Sequence, residues 1–200
     1  MPEPSRRFLA SPAPTAVCDV ALLDLDGVVY VGAEAVPHAV DALEQAVDRG
    51  MSLAFVTNNA SRTPDSVAQH LRELGVPARA QDVVTSAQAG ARVMAELVPP
   101  GSAVLAVGGP GVDWALRERG LEPVRRMDLD PVAVMQGFGA AITWSELAEA
   151  ACVLERGVPW VATNMDYTIP TPHGRAPGNG SFVEVLVRTT GRRPDVVASK

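Results

Sequence analysis

The chain has 200 residues, 47% of them hydrophobic and only 4% aromatic, and a formal charge of −6. That length suits one large domain or two small ones, with a core of aliphatic side chains and alanine. The acidic balance excludes the basic footprint of a nucleic-acid binder, and no apolar run approaches the roughly 18 residues of a membrane helix. Cys18 and Cys152 show neither metal spacing nor a disulfide framework, which fits free thiols in a reducing cytoplasm.

Residues 1–16 read as a loose arm. Ser5-Arg6-Arg7-Phe8-Leu9 resembles a twin-arginine signal only faintly, because two prolines follow where an apolar segment belongs. Val20 to Leu23 reads as a fully buried strand that stops at Asp24-Leu25-Asp26-Gly27. Positions i and i+2 of a strand face the same way, so both carboxylates can look into one crevice beyond its carboxyl end. Open α/β sheets place ligands there. Two such charges repel, and a cation or a shared proton relieves them. Taken alone, Asp-Leu-Asp-Gly is an ordinary turn; the buried strand before it shifts the reading towards a site.

Tyr30 to Val36 reads as a short irregular connection, with Pro37 at a first helical position. Ala39, Val40, Leu43, Ala46 and Val47 recur at helical spacing until Gly50. Met51 to Val56 is a second strand, ending in Thr57-Asn58-Asn59. Strand, helix and strand over this distance form a right-handed crossover. The two strand ends then lie side by side, and Thr57 and Asn58 come near the aspartates. Thr63-Pro64 opens a helix buried along Val67, Ala68, Leu71 and Leu74, with His70 as a partly buried structural residue. Val83 to Thr85 is a third strand, and Ser86 is expected to cap a helix from Ala87 to Leu97.

A second alternating set begins near residue 98. Ala103 to Val107 is a strand, followed by Gly108-Gly109-Pro110-Gly111 and a helix over 112–119. A dinucleotide fingerprint needs a third glycine where Trp114 stands, so these glycines read as a tight turn. Val132 to Gln136 is a strand, and Ser145 is expected to cap the helix of Leu147, Ala148, Ala151 and Leu154. Trp160 to Ala162 is a strand running into Thr163-Asn164-Met165-Asp166. Tyr167 to Gly180 reads as a long loop, and such loops are usually functional. Asn179-Gly180-Ser181 fits a glycosylation sequon but is first a turn signal. A helix over 182–188, a strand over 195–198 and Lys200 complete the chain.

Asp24-Leu25-Asp26-Gly27-Val28, Val56-Thr57-Asn58-Asn59, Thr85-Ser86-Ala87, Ala162-Thr163-Asn164 with Asp166, and Lys200 follow one another in a family order. In these motifs the chain resembles the haloacid dehalogenase-like phosphatases, in the 4-nitrophenylphosphatase and NagD-type branch. The resemblance implies an α/β fold: a Rossmann-like parallel sheet with an inserted α/β cap domain. The catalytic core would hold residues 17–89 and 186–200, and the cap residues 90–185. Asp24 would be the nucleophile and Asp26 the general acid and base. Mg2+ would sit on the Asp24 carboxylate and the Asp26 backbone carbonyl. Thr57, Asn58 and Asn59 would orient the phosphoryl group, and Lys200 would offset its charge. Asn164, Asp166, His173 and Arg175 would lie near the cleft from the cap side.

Asp26 points to a phosphate ester, since carbon–halogen cleavage has no alkoxide to protonate. The implied activity is hydrolysis of small phosphorylated metabolites in the cytoplasm. Glycerol 3-phosphate is the first expectation, pyridoxal phosphate or a nucleoside monophosphate the second. No nucleic acid or membrane partner is implied, and a homo-oligomer is compatible with the reading. Two departures stand out: Ser199 replaces a usual glycine, and the acidic pair that completes the metal site in relatives would lie beyond Lys200. The 200 residues therefore read as part of a longer chain. The alternative is a non-catalytic phosphometabolite-binding or regulatory protein without a complete metal site.

Overall fold

The computed structural model describes residues 12–171 and 173–200. Most of the expected arm, residues 1–11, lies outside them. In chain order the elements are β1 (Val20–Leu23), β2 (Tyr30–Val31), β3 (Glu34–Ala35), α1 (Ala39–Asp48), β4 (Ser52–Thr57), α2 (Pro64–Glu73), β5 (Val83–Thr85) and α3 (Ser86–Leu97). There follow β6 (Ala103–Val107), α4 (Pro110–Glu118), β7 (Glu122–Val124), β8 (Ala133–Gln136), α5 (Trp144–Glu155), β9 (Trp160–Ala162), β10 (Thr168–Thr171), β11 (Gly174–Pro177), α6 (Asn179–Thr190) and β12 (Val196–Val197).

The fold is mixed α/β with two parallel sheets. One has three strands in the order β1-β4-β5, the other five in the order β12-β9-β8-β6-β7. In the first, Leu23 pairs with Phe55 and Thr57 with Thr85, so the ends of β1, β4 and β5 line up. The crossovers that join these strands are α1 and α2, as the strand–helix–strand spacing requires.

Helices α1 and α2 cover one face of the small sheet, where Leu25, Leu43, Phe55, Val67, Leu71 and Val83 form a core. The other face is not covered by the described residues: Leu22 is 74% and Val20 51% exposed. This corrects the expectation of a fully buried first strand: among the described residues nothing packs on that face, and β1 has a strand neighbour on one side only. The large sheet is covered on both faces. Val104, Ala106, Met135 and Val161 pack with Ala91, Met94, Val112 and Leu116 of α3 and α4. Leu105, Val134, Trp160 and Ala162 pack with Val153, Leu154, Val183 and Leu186 of α5 and α6.

Several local readings are corrected by hydrogen bonding. Tyr30 to Val36 is a β-hairpin, β2 with β3, and not an irregular link. Most of the expected loop after Tyr167 is the hairpin β10–β11, with Ile169 opposite Ala176. The caps of α3 and α5 are Thr85 and Thr143, not Ser86 and Ser145. Each threonine forms a capping box, with Gln88 and Glu146 respectively, and that reciprocal pair satisfies two free N–H groups at once. The segment expected to return to the first sheet meets another partner: Val196 and Val197 of β12 pair with Val161 and Ala162 of β9. Pairing with β9 leaves α6 packed against α5, where the apolar positions Val183 and Leu186 are buried.

Candidate active site

The site forms where the ends of β1 and β4 meet loops from the large sheet. Gly27, at φ +81°, takes a left-handed turn that an L side chain would resist. The turn lets Gly27 N donate to Tyr30 O at 2.8 Å. The chain thus folds back directly after Asp26, which leaves both aspartates at the rim of the strand end.

Asp24 Oδ1 accepts from Leu25 N at 2.7 Å and pairs with the ammonium of Lys200. Asp26 lies beside it. Burial, then the Asp24 charge, push the Asp26 carboxyl above its ordinary range, while Lys200, Arg62 and His70 pull it down. Raised, the carboxyl keeps its proton to a higher pH than an ordinary aspartate would. The pair offers hard oxygen donors at one strand end, and this suits Mg2+, which takes one or two carboxylates and keeps several waters. Among the described residues no group of three or more His, Cys, Asp or Glu side chains comes together.

Asn58 is the knot of the site. Its Oδ1 accepts from the backbone N–H of Lys200 at 3.1 Å and from Ser199 Oγ at 3.3 Å. Its Nδ2 donates to Asp166 Oδ2 at 3.0 Å. Its carbonyl accepts from Ser86 Oγ at 2.7 Å and from Asn164 Nδ2 at 2.8 Å. One residue therefore joins the end of β4, the start of α3, the loop after β9 and the end of the chain. Thr57 is buried, and its Oγ1 accepts from Asn59 N at 3.0 Å. Asn59 Oδ1 is held by Ser61 N and Ser61 Oγ. A cavity of about 130 Å3 opens between these elements, lined among others by Thr57, Asn58, Ser86, Ser199 and Lys200.

Asp24, Asp26, Thr57, Asn58, Asn59, Asn164, Asp166 and Lys200 thus gather at one end of the small sheet. Arg175 does not join them through any hydrogen bond or ion pair among the described residues; it lies exposed on β11, opposite Pro170. His173 is likewise a hairpin residue, its N–H donating to Thr171 Oγ1 at 3.3 Å.

Three contributors escape the sequence motifs. Arg62 acts on Asp26 by charge and, among the described residues, forms no ion pair with a carboxylate. With Ser66, Gln69, His70 and Glu73 it lines a polar cleft of about 300 Å3. Tyr30 stacks edge-on against His70 at 5.0 Å between ring centroids, and burial, then Asp26, push its hydroxyl up to about 12. Asn179, read in sequence as a turn, is buried and donates from Nδ2 to Asn164 O at 2.8 Å. That bond fixes the loop that holds Asn58. An asparagine between two glycines ahead of an apolar helix carries no signal that separates this role from a turn.

Paired aspartates at the end of a parallel strand, a polar loop on the next strand and a lysine on the first aspartate define a class. The chain belongs to the haloacid dehalogenase-like hydrolases, whose family model matches residues 21–122. It is 47% identical to the D-glycerol 3-phosphate phosphatase of Mycobacterium tuberculosis over 178 residues, which are 89% of this chain and 50% of that protein. The crystal structure of glycerol phosphate phosphatase from that organism in complex with magnesium superposes with a TM-score of 0.88 at 46% identity, covering 93% of this chain and 56% of the other. A 4-nitrophenylphosphatase from Thermotoga maritima gives 0.84 at 26% identity, covering 94% and 70%. This chain spans about half the length of the mycobacterial phosphatase it matches. The expected family and branch are both met. Among the described residues no helix is long and apolar enough to cross a membrane.

Proposed function

We propose that this chain acts as a Mg2+-dependent phosphomonoester hydrolase of small phosphorylated metabolites. Glycerol 3-phosphate is the first candidate, on the likeness to the mycobacterial enzyme. The observation that carries the reading is the joint placement of Lys200: its ammonium pairs with Asp24 while its backbone N–H donates to Asn58 Oδ1. Nucleophile, phosphate loop and cation are thereby tied together.

Phosphoryl transfer asks mainly for positioning and charge neutralisation. An Asp24 carboxylate oxygen attacks phosphorus, and the ester P–O bond breaks. Asp26 gives its proton to the departing oxygen. Asp26, now ionised, takes a proton from water as the water oxygen attacks phosphorus. The bond from phosphorus to Asp24 breaks, orthophosphate leaves and both aspartates are restored. Thr57 and Asn58 hold phosphoryl oxygens without adding charge, and Lys200 offsets the negative charge as a point cation. Mg2+, held by the Asp24 carboxylate and the Asp26 carbonyl, would neutralise charge on the transferring group.

In this reading the small sheet with α1 and α2 is the catalytic unit. The large sheet is the cap that selects the leaving group, with Asn164 and Asp166 facing the cleft. The cap then extends through β12, beyond the boundary expected near residue 185.

The test is phosphate release from glycerol 3-phosphate by the 200-residue chain in Mg2+. Release that disappears in Asp24→Asn supports hydrolysis. Binding of the ester without release, in this chain and in a longer one, would replace it with the binding-protein reading.

A further inference from the structure

The Gly108-Gly109-Pro110-Gly111 turn fails the dinucleotide pattern, yet it lies against the loop that leaves β4. Gly111 N donates to Ser61 O at 3.2 Å. A Cβ on Gly111 would stand 2.4 Å from Arg62 O and 2.5 Å from Ala60 O, and one on Gly109 would stand 2.7 Å from Ser61 O. Those neighbours are backbone atoms, so no rotamer change relieves the overlap. The loop would have to retreat by roughly 1 Å to restore ordinary contact.

A second pair of glycines from the large sheet's cover acts on the next loop. A Cβ on Gly178 would stand 2.2 Å from Asp166 O, and one on Gly180 would stand 2.4 Å from Met165 O. Gly180 N donates to Asp166 O at 3.0 Å. That loop in turn holds Asn58 through Asn164 and Asp166. Backbone therefore meets backbone at the 60–62 segment itself and at the 165–166 loop that holds Asn58 by side-chain hydrogen bonds, and glycine permits both approaches.

We infer that Gly109 and Gly111 are positioning residues for the loop 58–62, which carries Asn58, Asn59 and Arg62. They set where that loop stands relative to Asp24 and Asp26, and they hold the large sheet as a fixed bed for it. The catalytic consequence rests on the phosphatase reading; the structural one does not.

The experiment compares Gly111→Ala and Gly109→Ala with Gly90→Ala in the full chain. At Gly90 a Cβ would meet only side chains, the nearest being the flexible end of Met135 at 3.0 Å. Amide exchange over 58–62 and hydrolysis of glycerol 3-phosphate in Mg2+ are measured, with thermal melts to establish folding. In Gly111→Ala, exchange over 58–62 should accelerate and kcat/KM should fall roughly a hundredfold, mostly through KM. Gly109→Ala should show the same in smaller measure, and Gly90→Ala neither. Unchanged exchange, or faster exchange with unchanged kinetics in an active chain, overturns the inference. Loss of the folded state in both Gly109→Ala and Gly111→Ala overturns it too, since the glycines would then hold the fold and not the loop. If the parent releases no phosphate, the exchange comparison still decides the positioning claim and the phosphatase reading falls separately.

Discussion

The two sheets differ in how they are dressed. The five-stranded sheet is sandwiched between α3 and α4 on one face and α5 and α6 on the other, and β6, β8 and β9 are almost wholly buried. The three-stranded sheet has α1 and α2 on one face, while Val20, Leu22 and Val84 stand exposed on the other. Parallel sheets are ordinarily covered on both sides. The candidate chemistry nevertheless collects at the end of the thinner sheet. The thicker one contributes loops that position it. The larger buried core and the candidate site therefore lie in different parts of the chain, and single substitutions should separate their effects.

The largest effect should fall on chemistry alone. Asp24→Asn is expected to reduce phosphate release by about a thousandfold or more, the scale of losing a nucleophile or its acid partner. With 43% of the Asp24 side chain exposed, the melting midpoint should stay close to that of the parent. A large fall in melting temperature would show that the carboxylate holds the fold.

Next comes the opposite case. Met135→Ala empties a position at the centre of the thick sheet, where the side chain is fully buried. It should cost about 2–5 kcal/mol in denaturant unfolding. Leu22→Ala on the bare face should stay within about 0.5 kcal/mol, as other surface changes do. Equal losses at the two positions would mean that the bare face is covered in solution.

Asp26 should show a smaller, pH-dependent effect. Its carboxyl is raised in the folded chain, so folding binds a proton that the unfolded chain releases. The stability it contributes is complete below the ordinary carboxylate pKa and is lost as pH rises through the raised value. Asp26→Asn should therefore raise the melting midpoint at neutral pH, leave it unchanged near pH 3 and abolish the acid step. A lower midpoint at neutral pH would reverse the sign of the proposed burial effect. The smallest change is expected from Arg62→Gln. Removing a cation that lowers Asp26 should move the basic limb of the pH–rate profile upward with little loss of maximal rate. An unmoved limb would take Arg62 out of the site.

Much of this arrangement was legible before any coordinates. The strand–helix alternation and the parallel order follow from apolar periodicity and crossover length, and the motif residues from Asp24 to Lys200 converge. What was not legible depends on partners distant in sequence. Leu22 reads as a buried residue because β1 is apolar, yet burial is set by neighbours that β1 lacks on one side. Residues 168–177 read as a loop because proline and glycine dominate, yet four register pairs make them a hairpin. Ser86 and Ser145 lost the expected cap role to the threonines before them, because one position decides which side chain reaches the free N–H groups. Arg62 carries no motif, and its charge reaches Asp26 only once the loop after β4 is folded. Arg175 shows the reverse, a cation in a promising segment that the hairpin turns outward.

Asn179 and Gly180 form the dipeptide most prone to deamidation, in which the glycine nitrogen attacks the asparagine side-chain carbonyl. Here the Asn179 amide is tied to Asn164 O and the Gly180 N–H to Asp166 O, at the first turn of α6. In the folded chain both reacting groups are thus held in other hydrogen bonds. The isoaspartate that accumulates at this position would serve as a chemical clock for how often the loop around Asn164 comes undone.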